Sequence, residues 1–269
     1  MTTAVPDVAE REEELSRDEF LGGALKIWQP RRGFRAGSDA VLLGAAIEAK
    51  AGESLLDVGA GVGTAGYCAL HRLAGTALWS IEIQSELASL ARQNAEQNGF
   101  ADRCHILEAN IGARQSFAGL VGPGGKPLLE AGFDHVFTNP PFFERDSSQA
   151  AGTEARTLAR READVPLADW LRFSIARARS KGTVTVIHRA ERLGEILAVM
   201  EARCGRLRVI PLWADEKSPA KRIIVQGVKG AKSPLRLMRG LVLHGADGRP
   251  SEASEAIHRN SASLARYLD

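Results

Sequence analysis

The chain has 269 residues, long enough to bury a large core, so a small fold that depends on disulfides or metals is excluded. Hydrophobic residues make up 44% and charged residues 25%, the usual mixture of a globular protein and not of a disordered or fibrous one. The 35 Lys and Arg residues nearly balance the 33 Asp and Glu residues, for a net charge of +2. Affinity for nucleic acid would therefore have to come from local basic patches.

The cysteines and the hydropathy pattern indicate the cellular compartment in which the protein is expected. Cys68, Cys104 and Cys204 are odd in number and widely spaced, which favours neither a disulfide framework nor a metal site. No apolar run approaches the about 18 residues that a membrane helix needs, and the N-terminus lacks the features of a signal peptide. We therefore expect a cytoplasmic protein without metal or membrane attachment.

The N-terminal segment is strongly acidic. Residues 7–19 contain seven acidic residues against two arginines, with few apolar residues to anchor them. This composition predicts a flexible acidic tail over residues 1–24, followed by a single domain over residues 25–269.

From Glu53 onward, short apolar runs alternate with helical patterns, which is typical of a parallel sheet covered by helices. The runs predict strands at 54–58, 77–83, 104–108, 133–138, 183–188, 206–212 and 222–228. The last two follow one another without a full helix between them, which predicts an antiparallel pair at one edge. The expected fold is α/β, with a doubly wound, mostly parallel seven-stranded sheet and an antiparallel edge.

Helices are predicted at 85–99, from Pro166 onward, and at 190–203. Ser85 can cap the first of these, and the Asn98-Gly99 pair can end it. Residues 112–132 are rich in glycine and proline and predict a long loop, and we expect a mobile loop at 143–165.

The first predicted strand runs into three alternate glycines, Gly59, Gly61 and Gly63. Glycine allows the backbone to approach a ligand at the carboxyl end of a strand. Residues 61–66 also spell the G-x-G-x-x-G of dinucleotide-binding proteins, which is weak evidence alone. Asp57, just before these glycines, could cap the turn, but we favour a ligand role because an acid suits a cationic group better than a pyrophosphate.

Polar residues also follow the next two predicted strands. Glu82 can accept hydrogen bonds from both hydroxyls of a ribose, or it can be an exposed carboxylate at the strand end. Asn110 can pair with the amino group and ring nitrogen of an adenine, or it can bond its own backbone. Together they indicate an adenosine-like ligand.

The fourth predicted strand runs into Asn139, Pro140, Pro141 and Phe142. The two prolines fix the backbone and leave the Asn139 side chain and the Pro140 carbonyl as rigid acceptors beside an aromatic ring. This set suits a planar amine, because the acceptors can hold its hydrogens while Phe142 stacks on its ring. A simple turn also uses Asn-Pro, but the position after the fourth strand favours catalysis.

The glycine loop, Glu82 and the Asn-Pro-Pro-Phe motif resemble those of class I S-adenosylmethionine-dependent methyltransferases that modify exocyclic or amide nitrogens. Residues 29–43 and 234–248 are similar to segments of the bacterial tRNA adenine-N6-methyltransferases that act beside the anticodon of a valine tRNA. The resemblance spans residue 25 to about residue 260. It implies a Rossmann-like methyltransferase fold, S-adenosyl-L-methionine as cofactor, and methyl transfer to the exocyclic amino group of adenine in RNA, with tRNA as the expected substrate.

The resemblance also implies roles for individual residues. The catalytic residues would be Asn139, Pro140, Pro141 and Phe142. The cofactor would be bound by Arg35, Asp39, Asp57, Gly59, Ala60, Gly61, Glu82, Ile83, Asn110, Ile111 and Asn139. Among these, Arg35 and Asp39 would close over the methionine end of the cofactor.

Basic residues cluster in three places, which favours an RNA partner. The groups are Lys26, Arg31, Arg32 and Arg35; then Arg156, Arg160 and Arg161; then ten bases between residues 201 and 240. The substrate is expected to contact Phe142, Phe143, Arg160 and Arg161. His135 and His188 lie in or beside apolar strands, and we expect both to be buried without a catalytic role.

Three other functions are compatible with parts of the pattern. A protein methyltransferase acting on a glutamine amide would use the same motif, because that amide offers a similar planar NH₂ group. A nucleotide-dependent oxidoreductase would use the glycines at 61–66 but would leave Asn139–Phe142 unexplained. A non-catalytic RNA-binding module could keep the same fold.

Overall fold

The computed structural model describes residues 14–33, 35–142 and 165–268. Its strands are β1 (Leu15–Phe20), β2 (Leu25–Pro30), β3 (Ser54–Val58), β4 (Ala77–Glu82), β5 (Cys104–Glu108), β6 (Phe133–Thr138), β7 (Ala178–Arg189), β8 (Cys204–Trp213), β9 (Arg222–Lys229), β10 (Arg236–Leu237) and β11 (Leu241–Val242). Its α-helices are α1 (Ser38–Ala45), α2 (Thr64–Arg72), α3 (Ser85–Gln97), α4 (Leu167–Arg177), α5 (Leu193–Met200) and α6 (Glu252–Asn260).

The large sheet has the strand order β10-β8-β9-β7-β6-β3-β4-β5, and β11 also pairs with β8. Neighbouring strands from β5 through β7 are parallel, whereas β9 is antiparallel to both β7 and β8. The predicted seven-stranded, mostly parallel sheet is therefore confirmed, with β9 inserted between β7 and β8. The two-residue strands β10 and β11 were not predicted.

Helices cover both faces of the sheet, and β3 shows the consequence, because residues on both of its faces are buried. Successive side chains of a strand point to opposite faces. Leu55 packs with α1 and α2 on one face, and Leu56 packs with α4 on the other. All five residues of β3 are buried, as expected for a central parallel strand. Asp57 is the fourth residue of β3, and Gly59 directly follows the strand at its carboxyl end.

The predicted helices and the long loop are also present. Helix α4 begins directly after Pro166, and the segment predicted as a helix over 190–203 forms a short 3₁₀ turn followed by α5. Residues 112–132 contain two short 3₁₀ turns, and this loop buries Phe117 and Leu128 against the sheet. In the described part of the chain, no helix is long and apolar enough to cross a membrane.

The prediction of a flexible tail over residues 1–24 was wrong for residues 15–24. Strand β1 pairs antiparallel with β2, and this hairpin packs against α3. Asn98 accepts from the Lys26 N–H at 2.9 Å and donates to the Lys26 carbonyl at 2.8 Å, so its side chain extends the hydrogen bonding of β2. Residues 1–13 lie outside the described residues.

Asn94 is the buried centre of this contact. Its side chain accepts from the Trp28 N–H at 2.8 Å and donates to the carbonyls of Trp28 at 3.0 Å and Val62 at 3.1 Å. It therefore joins the N-terminal hairpin to the glycine loop as well as to α3.

We expect Asn94→Ala to lower the free energy of unfolding by about 2–4 kcal/mol, because it leaves buried backbone groups without partners. Urea unfolding followed by circular dichroism measures this loss. Gln97→Ala is the matched control, since among the described residues the Gln97 side chain makes a single, exposed hydrogen bond, to the Trp28 indole at 2.9 Å. Equal stability losses in the two variants would contradict the anchoring role of Asn94.

Candidate active site

The carboxyl ends of β3, β4 and β6 meet at a pair of adjoining cavities. The first has a volume of about 470 Å³, part of it open to solvent, and its lining includes Asp57, Ala60, Gly61, Thr64 and Asn139. The second encloses about 260 Å³, and its lining includes Ile83, Asn110, Ile111 and Trp170. Gly59 lines both cavities, so they are neighbours. Most of the predicted cofactor-binding residues therefore lie together where doubly wound sheets bind their ligands.

The glycine loop turns the chain tightly over the end of β4. The N–H groups of Gly59 and Ala60 both donate to the Ile81 carbonyl, at 2.9 and 3.0 Å. Gly59 has a φ of +75°, and a Cβ atom there would lie 2.6 Å from the Trp170 ring. Gly61 has a φ of +57°, but no described atom lies within 4 Å of its Cβ position. Its backbone is therefore open to a ligand in the first cavity.

Asp57 is a buried carboxylate with one unpaired oxygen. The Gly66 N–H donates to this carboxylate, but among the described residues Oδ2 has no hydrogen-bond partner. Burial, and then the charge of Glu82, raise the pKa of Asp57 to about 8. A cationic group in the first cavity would stabilise the ionised form, whereas an anionic pyrophosphate would be repelled.

Glu82 is 2% exposed, so the alternative of an exposed carboxylate is wrong. Its Oε2 accepts from the Gly61 N–H at 2.7 Å, and its Oε1 accepts from the N–H groups of Ile83 and Gln84 at 2.9 Å each. These bonds join the glycine loop to the turn after β4. A carboxylate has about four acceptor positions, so capacity remains for a ligand hydroxyl, and ribose binding stays a prediction.

Asn110 contacts its own backbone and also lines the second cavity. Its Oδ1 accepts from the Gly112 N–H at 2.8 Å, which fixes a local turn. Of the two interpretations of Asn110, the hydrogen bond to the local backbone is therefore present. Binding of adenine by Asn110 stays a prediction. Ile83 and Ile111 give this cavity apolar walls, which suit a flat heterocyclic ring.

Asn139 lines the first cavity and carries a buried acceptor. Its Oδ1 is buried and, within the described part of the chain, has no hydrogen-bond partner. The residue before it is firmly held, because Thr138 Oγ1 donates to the Val58 carbonyl at 2.7 Å and accepts from Trp170 Nε1 at 2.6 Å. A buried oxygen without a partner costs about 1–3 kcal/mol. A hydrogen bond from a ligand N–H would remove that cost.

Phe142 lies beside basic and aromatic side chains at the ends of β7 and β9. The His188 ring meets it edge-on, with centroids 4.9 Å apart and an angle of 85° between the planes. Burial, and then the charges of Arg192 and Arg222, lower the pKa of His188 to about 4, so this imidazole is neutral at pH 7. The expectation that His135 and His188 are buried is confirmed.

Arg35 and Asp39 do not line either cavity. Arg35 forms an ion pair with Asp18 of β1. Asp39 accepts from Arg222 Nε at 3.0 Å. Their neighbours Ala36 and Ala40 line the first cavity instead. The segment therefore borders the site as expected, but these two charged side chains bind other elements of the protein in this structure.

Sequence reasoning missed Thr64 and Trp170. Thr64 is the first residue of α2, lines the first cavity, and has a buried hydroxyl without a partner among the described residues. Its position directly after the glycine loop was the available signal. Trp170 supports both Gly59 and Thr138, and nothing local in the sequence indicates those contacts.

Three predicted substrate contacts, Phe143, Arg160 and Arg161, lie outside the described residues, as does most of the loop predicted at 143–165. Those predictions remain untested. Among the residues that the structure does describe, no three or more His, Cys, Asp or Glu side chains are grouped where they could hold a metal ion.

The cavities fit the predicted cofactor. The unpaired Asp57 oxygen suits the ammonium group of S-adenosylmethionine, and the apolar second cavity suits its adenine. Residues 34–161 match the Methyltransferase small domain family. A crystal structure of a predicted O-methyltransferase from Agrobacterium tumefaciens aligns with a TM-score of 0.68 at 25% identity, over 84% of this chain and 98% of that chain. The fold and the site together define an S-adenosylmethionine-dependent methyltransferase.

Curated relatives narrow this class. A tRNA1(Val) (adenine(37)-N6)-methyltransferase from Porphyromonas gingivalis is 32% identical over 78% of this chain and 80% of its own length. The enzyme of the same name from Trichodesmium erythraeum is 28% identical over 82% of this chain and 88% of its own length. The chain belongs to the tRNA1(Val) (adenine(37)-N6)-methyltransferase family. The predicted family, enzyme class and cofactor are confirmed, and the oxidoreductase alternative is wrong.

Proposed function

We propose that this protein transfers a methyl group to N6 of adenine 37 in a valine tRNA, the activity for which its relatives are named. The observation that carries the proposal is the buried Asn139 Oδ1, which lacks a partner among the described residues. It lies at the same cavity as the unpaired Asp57 oxygen. An exocyclic amino group has the N–H donors that Asn139 needs, and Asp57 offers the cofactor's ammonium group an acceptor in the same cavity.

The protein acts mainly by orientation. Bound S-adenosylmethionine supplies a methyl group activated by its sulfonium. Asn139 Oδ1 and the Pro140 carbonyl accept the two amino hydrogens of the adenine, which directs the nitrogen lone pair toward the methyl donor. Phe142 stacks on the base and holds its plane. No strong general base is required, because the amine proton can leave after transfer.

A basic surface at one edge of the sheet supports a nucleic-acid substrate. We call it the edge surface, and it consists of Arg206, Arg208, Lys232, Arg236 and Arg239. Arg208 of β8 and Arg236 of β10 are register neighbours, and no described acidic side chain forms an ion pair with any of the five. Adjacent like charges repel one another, and the phosphates of a polyanion relieve that repulsion.

The edge surface lies beyond the immediate reach of the target base. Four strand spacings separate β6, which carries the catalytic motif, from β10. At about 4.8 Å per spacing this amounts to about 19 Å. An RNA carries phosphates along its whole length and so has charges for both places, whereas a protein substrate would need an acidic surface at that distance from its glutamine. We therefore favour RNA over protein as substrate, and we propose that the enzyme acts in the cytoplasm, where tRNA is found.

Transfer of labelled methyl groups distinguishes the substrate classes. The purified protein would be incubated with labelled S-adenosylmethionine and either total tRNA or total protein from cells that lack the enzyme. We expect label in tRNA and recovery of N6-methyladenosine after digestion to nucleosides. Label confined to protein would support glutamine-amide methylation, and label in neither fraction would support a non-catalytic role.

A further inference from the structure

Arg222, the first residue of β9, joins two parts of the site that are far apart in the sequence. Its guanidinium carbon lies 4.7 Å from the centroid of the Phe142 ring. Its Nε donates to Asp39 Oδ2 at 3.0 Å. A single side chain therefore contacts both an acid of α1 and the aromatic residue of the Asn-Pro-Pro-Phe motif.

The two residues that Arg222 contacts lie at different parts of the site: Asp39 is beside the first cavity, and Phe142 is in the catalytic motif. Asp39 lies in the first turn of α1, and its neighbour Ala40 lines the first cavity. Phe142 is the residue proposed to stack on the target base. The ion pair between Asp39 and Arg222 is partly shielded from water, with side chains 27% and 33% exposed, so the pair is less screened than a fully exposed one.

Phe142 is restrained from more than one direction. Arg222 lies over its ring, and His188 contacts the same ring edge-on with centroids 4.9 Å apart. Arg189, the register partner of Arg222, is more distant at 5.8 Å and is paired with Glu191. Arg222 is thus the cation closest to the ring among the described residues, and a guanidinium over an aromatic ring is an attractive contact.

We infer that Arg222 is a positioning residue, held by Asp39, that fixes the plane of Phe142 for stacking on the target adenine. A ring plane set in this way places the amino group relative to the methyl donor, and small errors in such placement strongly reduce the rate. The inference also assigns Asp39 a different role from closing over the cofactor. It rests on the proposed methyl transfer to adenine.

The test compares Arg222→Ala, Arg222→Lys and Asp39→Asn in tRNA methylation. We expect Arg222→Ala to lower kcat by about 10²-fold with KM for tRNA changed little, since misplacement acts on the reacting geometry. Arg222→Lys should recover part of kcat because a cation still pairs with Asp39, although the planar group is lost. Affinity for S-adenosylhomocysteine should stay within about twofold of the wild-type value in the two Arg222 variants, because Arg222 is not among the proposed cofactor contacts.

A double variant of Asp39 and Arg222 distinguishes a positioning role from a general loss of structure, because it shows whether the two effects on kcat are coupled. The double variant Asp39→Asn with Arg222→Ala should be no slower than Arg222→Ala alone, because both changes break one connection. The matched control is the exposed ion pair on α6 in which Arg259 Nε lies 2.8 Å from Glu255 Oε1. Glu255→Gln and Arg259→Ala should leave kcat unchanged. If Arg222→Ala fails to fold, the same comparison of kcat is made with Asp39→Asn, Arg222→Lys and their double variant.

Two results would overturn the inference. A wild-type kcat for Arg222→Ala, with a raised KM and a weaker salt dependence of tRNA binding, would make Arg222 a phosphate contact. Strictly additive effects of the Asp39 and Arg222 changes would show that the ion pair does not position the ring. A wild-type enzyme that methylates no tRNA would instead overturn the proposed function, and this inference with it.

Discussion

Replacing Asn139 with alanine is expected to lower the rate of methyl transfer to tRNA by about 10²–10³-fold, the usual cost of removing one positioned polar group from a reacting centre. The physical reason is the loss of the buried Oδ1 that we propose as the acceptor for one amino hydrogen of the base. Affinity for S-adenosylhomocysteine should change little, because Asp57 and the glycine loop remain. Single-turnover methylation with saturating cofactor measures the chemical step directly.

Asn260→Ala is the matched control for this variant, because Asn260 is an exposed residue at the end of α6. It should transfer methyl groups at the wild-type rate. If Asn139→Ala also retained the wild-type rate in single-turnover experiments, the proposed role of the Asn139 oxygen would be excluded.

Replacing Asp57 with asparagine is expected to weaken binding of S-adenosylhomocysteine by about ten- to hundredfold, the value of a hydrogen bond to a charged group. It should also remove the pH dependence of this binding. The pKa of Asp57 in the free protein is about 8, because burial disfavours the carboxylate, and an ammonium group bound beside it lowers that pKa. Binding therefore releases a proton, and the wild-type affinity should rise as the pH increases from 6 to about 7.5.

Isothermal titration in two buffers of different ionisation enthalpy counts the released protons. The wild-type protein should release close to one proton at pH 6.5, and Asp57→Asn should release none. The same variant should make the free protein more stable at neutral pH. The unfolded chain ionises Asp57 near its ordinary pKa while the folded chain retains the proton, so folded stability falls as the pH rises toward 8. Wild-type binding without proton release would contradict the assignment of Asp57 to the ammonium group.

The core of the site could be predicted because its residues follow buried strands. Asp57, Glu82 and Asn139 each end an apolar run, and the carboxyl ends of parallel strands meet at one edge of a sheet. Their hydrogen bonds could not be predicted. Glu82 accepts three backbone N–H groups of the protein, which depends on how the glycine loop folds over β4.

The N-terminal hairpin illustrates why local composition misleads. The acids of β1, including Asp18 and Glu19, suggest a solvated tail, yet β2 alternates buried and half-buried residues as a packed strand does. The hairpin is held by the side chains of Asn94 in α3 and of Asn98 directly after that helix, both far along the chain. That packing is a tertiary feature that neither segment shows alone.

The contact between Arg222 and Phe142 has the same origin. It exists because β9 lies beside β7, and β7 lies beside β6, so the first residue of β9 reaches the motif that follows β6. A prediction of an antiparallel pair at the edge does not specify that β9 occupies the inner position. The partners of Asp39 and Phe142 follow from that order.

The central claim is that Asn139 holds the target amino group and Asp57 holds the cofactor in one cavity that both residues line. A crystal structure of the protein with S-adenosylhomocysteine and the anticodon stem-loop of the valine tRNA measures this most directly. The account predicts adenine 37 turned into the cavity, with its N6 about 3 Å from Asn139 Oδ1, a normal hydrogen-bond distance. It also predicts the ammonium group of the cofactor beside Asp57. An Asn139 amide directed away from the bound base, or an adenine held outside the cavity, would contradict it.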